Sequence, residues 1–273
     1  MSSPSSGLLP ADLERRFGGL TRLYGADGAK RIRTAHVVIV GLGGVGSWAA
    51  EALARSGVAG LTLIDLDHIA ESNINRQIHA LDSTLGQAKV SAMAERISHI
   101  NPECNVRCVD EFVDADNWPG IAGFELDAES SVCVIDACDQ VKAKTAMAAW
   151  ALRQGAGKRK RGIDFISVGA AGGKRHAHKV EIDDLSLTTH DPLLAQVRYR
   201  LRKEQGAPRQ GRMGVSCVFS REAVAQAVGS VGQEDGQVQN DSSLNCHGYG
   251  SVVSVTSTFG ICAAGWLLHK IAS

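Results

Sequence analysis

The run GLGGVG (Gly41 to Gly46) and a scatter of charged and amide side chains beyond it hold the residues of this chain best suited to chemistry. Set between a β-branched stretch and an apolar helical pattern, such a turn offers backbone N–H groups and a helix N-terminus to a phosphate chain. Asp65 ends the next apolar run about 20 residues later, where a carboxylate can accept ribose hydroxyls. To this point a nicotinamide dinucleotide fits as well as a nucleoside triphosphate. The residues downstream of Asp65 separate the two. In LIDLDHIAESNINRQ, Asp67, Asn73, Arg76 and Gln77 come just beyond the strand end. Lys89 is expected a turn or so into the next helix, and Asp139 just past a later strand. Arg and Lys beside a phosphate-cradling turn neutralise a triphosphate and its leaving group. An acid at the same edge can hold Mg²⁺. Hydride transfer needs none of these. The chain has no G-x-x-x-x-G-K-[ST], which excludes a P-loop kinase or GTPase.

These side chains meet only if strands and helices alternate. HVVIV, LTLIDLD, NVRCVDEFV, SVCVIDACD and GIDFISVGAAGG read as strands, with helical patterns in GSWAAEALARSG, GQAKVSAMAERISHI and VKAKTAMAAWALRQGA between them. Short connections make this an α/β, Rossmann-like, doubly wound and mostly parallel sheet, whose carboxyl edge collects the candidate residues. Residues 1–10 read as a tail, and Asp12 to Ile32 as a helical lead-in broken at Gly18-Gly19. Three parts are expected: a lead-in over 1–33, a nucleotide-binding domain over 34–173 and a C-terminal subdomain over 174–273. In the last, HKVEIDDLSLTTHDP reads as strand and loop, PLLAQVRYRLRKEQG as a basic amphipathic helix and EDGQVQNDSSLN as an exposed loop. SVVSVTSTFGICAAGWLLHKIA carries no charge before His269 and Lys270. Its Ser, Thr and Gly content suits a buried or interface helix better than a membrane span, leaving a weak membrane contact as the alternative.

Composition narrows the partners. With 273 residues, 44% of them hydrophobic, the chain can fill a core. Lys+Arg 29 balance Asp+Glu 29, which excludes a general polycationic coat but not local basic patches. The patches are KRKR (Lys158 to Arg161) and RYRLRK (Arg198 to Lys203), with Arg209 and Arg212. Aromatics at 5% are too few for base stacking as the main binding strategy. The seven cysteines form no C-x-x-C pair, so no structural zinc is expected. Reduced thiols in a cytoplasmic protein are the default for such a set.

The ordered set GLGGVG, LIDLDHIAESNINRQ, GQAKV and DACD resembles the adenylation domain of the E1-like enzymes, the superfamily of ThiF, MoeB and ubiquitin-activating enzymes, over about residues 16–170. That resemblance implies an E1-like adenylation fold, ATP and Mg²⁺ as cofactors, and conversion of a carboxylate to an acyl-adenylate with loss of pyrophosphate. By position, Gly41, Gly43, Gly44 and Gly46 would cradle phosphate and Asp65 would bind ribose. Asp67, Asn73 and Gln77 would shape the site, Arg76 and Lys89 would hold the phosphates, and Asp139 would be the metal ligand. Arg76, Lys89 and Asp139 are then the catalytic candidates.

Within the superfamily, RFGGLTRLYG (Arg16 to Gly25), NRQIHAL, INPEC, a DPL-centred basic helix, CVFS (Cys217 to Ser220) and NCHGYG resemble the tRNA threonylcarbamoyladenosine dehydratases over nearly the whole chain. The implied reaction is ATP-dependent cyclisation of N6-threonylcarbamoyladenosine at position 37 of tRNA. The basic runs would contact the tRNA, and a homodimer is implied, with Arg16 or Arg22 reaching a partner's site. The resemblance leaves open a monovalent cation, a cysteine desulfurase or other sulfur-relay partner, and a nucleophilic role for Cys217. Rival readings are an activator of a ubiquitin-like or sulfur-carrier protein, a nicotinamide oxidoreductase and a non-catalytic nucleotide sensor. The absence of paired C-x-x-C motifs, together with the basic helix, argues against the first.

Overall fold

The computed structural model describes residues 11–124, 132–155, 163–225 and 249–273. The tail 1–10, the run Lys158 to Arg161, the loop EDGQVQNDSSLN and most of NCHGYG lie outside the described residues.

The lead-in forms α1 (Leu13–Phe17) and α2 (Gly19–Thr34), separated at Gly18 as the glycine pair predicts. The Asp12 carboxylate caps α1 by accepting from Arg15 N–H at 3.0 Å. The β-branched runs become β1 (His36–Val40), β2 (Gly60–Ile64), β3 (Asn105–Val109), β4 (Val132–Asp136) and β5 (Ile163–Val168). Between them lie α3 (Gly46–Arg55), α4 (Lys89–Ile100) and α5 (Val141–Arg153). The C-terminal third adds β6 (Val180–Asp184), α6 (Pro192–Glu204), β7 (Ser216–Ser220) and α7 (Val253–Ala272).

One seven-stranded sheet runs in the order β3-β2-β1-β4-β5-β7-β6. Every neighbouring pair is parallel except β6 with β7. The sheet therefore continues across residue 174, where the regular alternation of the sequence ends. β1, β2 and β4 are buried on both faces, which is why they read as unbroken apolar runs. The strand over Cys217 to Ser220 is not evident from its pattern; it is inserted between β5 and β6.

Helices cover both faces. On one, α3, α4 and α7 bury Leu53, Met93, Ile97, Phe259 and Leu267 against the sheet. On the other, α5 and α6 bury Met147, Trp150, Leu194 and Leu201. α7 lies directly on α3. A Cβ at Gly260 would come within 2.3 Å of the Val45 carbonyl oxygen, so only glycine permits this approach. The apolar C-terminal segment is thus largely a core helix. No helix among the described residues is long and apolar enough to cross a membrane.

Candidate active site

β2, β1 and β4 are adjacent and parallel, so the loops leaving their carboxyl ends meet at one edge, at the point where strand order reverses. The glycine turn leaves β1. Gly41 adopts φ +87°, and its N–H donates to the Ile64 carbonyl at 2.8 Å. A Cβ on Gly41 would touch Ala137 and Cys138 backbone at 2.8–2.9 Å, and one on Gly46 would strike the Gly41 carbonyl oxygen at 1.8 Å. The turn is thus packed against its own helix and against the β4 exit. Around Gly43, by contrast, nothing lies within 4 Å of a Cβ position. α3 starts at Gly46 with no side-chain cap from Val45; its Ser47 N–H donates to the Gly43 carbonyl at 3.1 Å, leaving the Gly46 and Trp48 N–H groups for a ligand.

Asp65 stands beyond β2, its carboxylate accepting from Leu42 N–H in the glycine turn and from Asp67 N–H at 2.8 Å. Burial raises its pKa, and the nearby Lys89 charge works against that rise. Lys89 is the first residue of α4, which corrects the expectation of a place one turn inside it. The bridge between His68 and Ala88 closes residues 69–87 into a loop and delivers Lys89 beside the strand end. Its ammonium, itself buried, pairs with Asp67 at 2.7 Å.

That loop carries the remaining candidates. Asn73 is buried and accepts from Ala70 N–H at 3.0 Å. The Arg76 guanidinium donates to the Ser72 carbonyl at 2.6 Å and to Asn75 Oδ1 at 2.9 Å. Its stem lies 3.1 Å from the Cβ position of Gly44, and Trp48 of α3 donates to its carbonyl at 3.0 Å. Gln77 is buried, with Oε1 lacking any hydrogen-bond partner. Asp139 is exposed on the β4 exit, in the loop whose Ala137 and Cys138 pack on Gly41. The structure therefore gathers the sequence-predicted set around the carboxyl ends of β1, β2 and β4. An uncapped helix N-terminus, open space at Gly43 and two cationic side chains fit a polyphosphate, with Asp65 in place for a ribose.

Several expected contributors lie elsewhere. Cys217 is sealed in β7, and burial pushes its thiol well above the usual cysteine range, the state of an inert structural thiol. Arg16 donates to the Ile100 carbonyl at 2.7 Å, on a cavity of about 620 Å³ behind the loop, and Arg22 is exposed on α2. On α6, Arg198 is turned inward. It donates to the Leu185 and Thr188 carbonyls at 3.0 and 2.9 Å, leaving Arg200, Arg202 and Lys203 as the outward cations. Among the described residues, no group of three or more His, Cys, Asp or Glu could hold a metal ion.

Two features carry no signal at the level of sequence. His79, on the same loop, is buried with both ring nitrogens unpartnered; burial, then Lys89 and Arg96, hold its pKa down to about 4. Asp136 and Lys144 form a wholly buried ion pair at 3.0 Å beneath the β4 exit. No local pattern marks His79 or Lys144 as buried, and DACD gives no sign that its first acid is sealed.

Comparison with known proteins identifies relatives over nearly the whole chain. The tRNA threonylcarbamoyladenosine dehydratase of Escherichia coli K12 is 42% identical over 262 residues, 94% of this chain and 93% of its own. That of Haemophilus influenzae is 39% identical over 261 residues, 94% of each chain. A solved structure of the E. coli enzyme in complex with ATP superposes with a TM-score of 0.79 at 39% identity, covering 97% of both chains. The ThiF family model matches residues 17–272. With that match over nearly its whole length, and with the glycine turn, Asp65, Arg76 and Lys89 at one edge of a mostly parallel sheet, the chain belongs to the ThiF family.

Proposed function

We propose that this protein catalyses the ATP-dependent cyclisation of N6-threonylcarbamoyladenosine at position 37 of tRNA, by way of an adenylated carboxylate. The observation that carries this reading is the extent of the likeness to the dehydratases. It runs through the nucleotide-binding part and the C-terminal third alike. In this reading the glycine turn and the first turn of α3 hold the phosphates, and Asp65 accepts the ribose hydroxyls. The substrate carboxylate attacks the α-phosphorus and pyrophosphate departs. Arg76 and Lys89 neutralise the charge that develops on the phosphates as that bond breaks. Lys89 can do so by leaving Asp67, which faces solvent. The acyl-adenylate is then attacked from within the modification, closing the ring and releasing AMP. Proximity carries that second step, because both reacting groups belong to one nucleoside. No cysteine nucleophile is required, in keeping with the sealed thiol of Cys217.

Mg²⁺ belongs to the same proposal, with Asp139 as its one protein carboxylate; when bound, the ion neutralises phosphate charge. A single exposed acid fits an ion that retains waters and takes its other ligands from the nucleotide. The outward face of α6 and Arg209 and Arg212 are the proposed tRNA contacts. A homodimer in the cytoplasm completes the proposal, with the exposed Ile261 strip of α7 as its contact.

ATP–pyrophosphate exchange tests the reading directly. Exchange should be stimulated by tRNA carrying the threonylcarbamoyl group, and not by unmodified tRNA, carrier protein or NAD. Stimulation by a carrier protein instead would overturn the reading. Asp139→Ala should abolish exchange with the thermal midpoint unchanged, since the side chain is exposed; normal exchange would remove Mg²⁺ from that residue.

A further inference from the structure

Asp136 is the last residue of β4 and sits in the middle of the sheet, registered with Val40 on one side and Ser167 on the other. Val40 is the residue before the glycine turn. Lys144 lies on α5, one turn in, and neither side chain of the pair has any solvent exposure. The ammonium bonds at three points of one small cage. It reaches Asp136 Oδ1 at 3.0 Å, the Asp136 carbonyl at 3.2 Å and Ser167 Oγ at 3.3 Å. Ser167 in turn donates to Asp136 Oδ2 at 2.7 Å, and the Cys138 thiol donates to Oδ1 at 3.2 Å. One ion pair thereby pins both ends of the loop 137–140: its β4 end through the Asp136 carboxylate and carbonyl, its helix end through Lys144.

That loop is the one carrying Asp139 and packing on Gly41. Ala137 N–H donates to the Val40 carbonyl at 2.8 Å, so the loop and the glycine turn are tied backbone to backbone. Two charges sealed from water are costly, and an apolar pair of similar volume would stabilise the core as well or better. What charge adds is direction, because each bond in the cage fixes an angle as well as a distance. We propose that Asp136 and Lys144, with Ser167, are positioning residues for adenylation, holding loop 137–140 where Asp139 and the glycine turn face one polyphosphate. The inference rests on the ATP site proposed above. It predicts that the cage acts on the phosphate end of the nucleotide and leaves the ribose end alone.

The test removes both charges together, in Asp136→Asn/Lys144→Met, so that no lone buried ion remains. The expected protein folds and binds AMP within about twofold of wild type. Its exchange rate falls about 10-fold or more, in line with the cost of an ångström-scale misplacement at a reacting centre. The Mg²⁺ concentration for half-maximal exchange rises by a similar factor. A folded double variant with wild-type exchange and wild-type Mg²⁺ dependence would show the pair to be core packing only. If the double variant does not fold, Ser167→Ala decides. It removes one hydroxyl from the cage and should shift the same two quantities about threefold, and no shift overturns the proposal. Asp139→Ala is run alongside. Should it keep normal Mg²⁺ dependence while the cage variants lose exchange, the metal assignment fails and positioning acts through the glycine turn. Should the cage variants be silent, positioning fails whatever Asp139 does.

Discussion

Lys89 and Lys144 stand on opposite sides of the glycine turn, each buried and each ion-paired, but with different partners. On the β2 side, the Asp67 side chain is 58% exposed and meets Lys89 at 2.7 Å. On the β4 side, Asp136 and Lys144 are both fully sealed at 3.0 Å. Burial, the largest single influence, works against the charged form of Lys144, but the charge and hydrogen bond of Asp136 together with the Cys138 and Cys217 sulfurs raise the lysine's pKa. The first pair can open when a new anion meets the buried Lys89 ammonium, because water solvates the released Asp67 carboxylate. The second cannot open without leaving an ion in the core. One wall of the cleft thus offers a cation that can change partners when a phosphate arrives, while the other supplies a fixed frame.

Stability is where the two walls should differ most. Lys144→Ala strands the Asp136 carboxylate and should cost about 3–5 kcal/mol. Lys89→Ala, whose partner is solvated, should cost about 1 kcal/mol or less. Urea unfolding of the two variants side by side measures this, and equal losses would abolish the distinction. Activity should show the reverse assignment among properly folded proteins. Arg76→Ala and Lys89→Ala are each expected to slow exchange about 100-fold, close to 3 kcal/mol of transition-state stabilisation. Rates within about threefold of wild type for both would take them out of the site. The smallest effect is expected on α6, where a similar division separates Arg198 from its neighbours. Replacing Arg200, Arg202 and Lys203 with Gln should leave the thermal midpoint in place. It should weaken tRNA binding and lower the salt slope by about one for each phosphate no longer neutralised. A wild-type slope would make this face of α6 merely solvated.

The β1–α3–β2 unit and its glycine turn were legible because each local signal agreed with the next. A β-branched run, glycines at a tight turn and apolar residues at helical spacing leave little else to build. Asp65 and Asp139 lie close after strand ends, which parallel pairing gathers on one edge, whereas Arg76 is brought there by the 69–87 loop. Lys89 was legible as lying near the β2 end but not in its exact place, since α4 starts just after the His68–Ala88 bridge with no side-chain cap. β7 was hidden because Ser216–Ser220 is a short apolar run only five residues long. Its neighbours β5 and β6 both precede it in sequence, so only tertiary pairing makes it a strand. Lys144 was hidden for a related reason. In Val-Lys-Ala-Lys on α5, Lys142 is exposed and Lys144 is sealed, and nothing in the residue type separates them. A lone lysine on a helix is read as solvated until the strand end beneath it is known. Arg198 was hidden in the same way, its alternation with Arg200 and Arg202 masking an inward turn.

The seat of α7 on α3 bears on how the chain is made. α3 begins at the glycine turn, and Thr256 of α7 lies 3.2 Å from the Cβ position of Gly44 within that turn. Arg31 of α2 donates to the Ile271 carbonyl at 3.0 Å, so the lead-in too closes on the far end of the chain. During translation, β1, α3 and β2 leave the ribosome some 200 residues ahead of the helix that covers them. At roughly 5–20 residues per second, the apolar face of α3 waits about 10–40 s without its cover. The nascent chain therefore carries that apolar face uncovered through most of its synthesis. A premature stop before residue 253 would release a chain that has the glycine turn, Asp65, Arg76, Lys89 and Asp139 but lacks the helix that packs on α3.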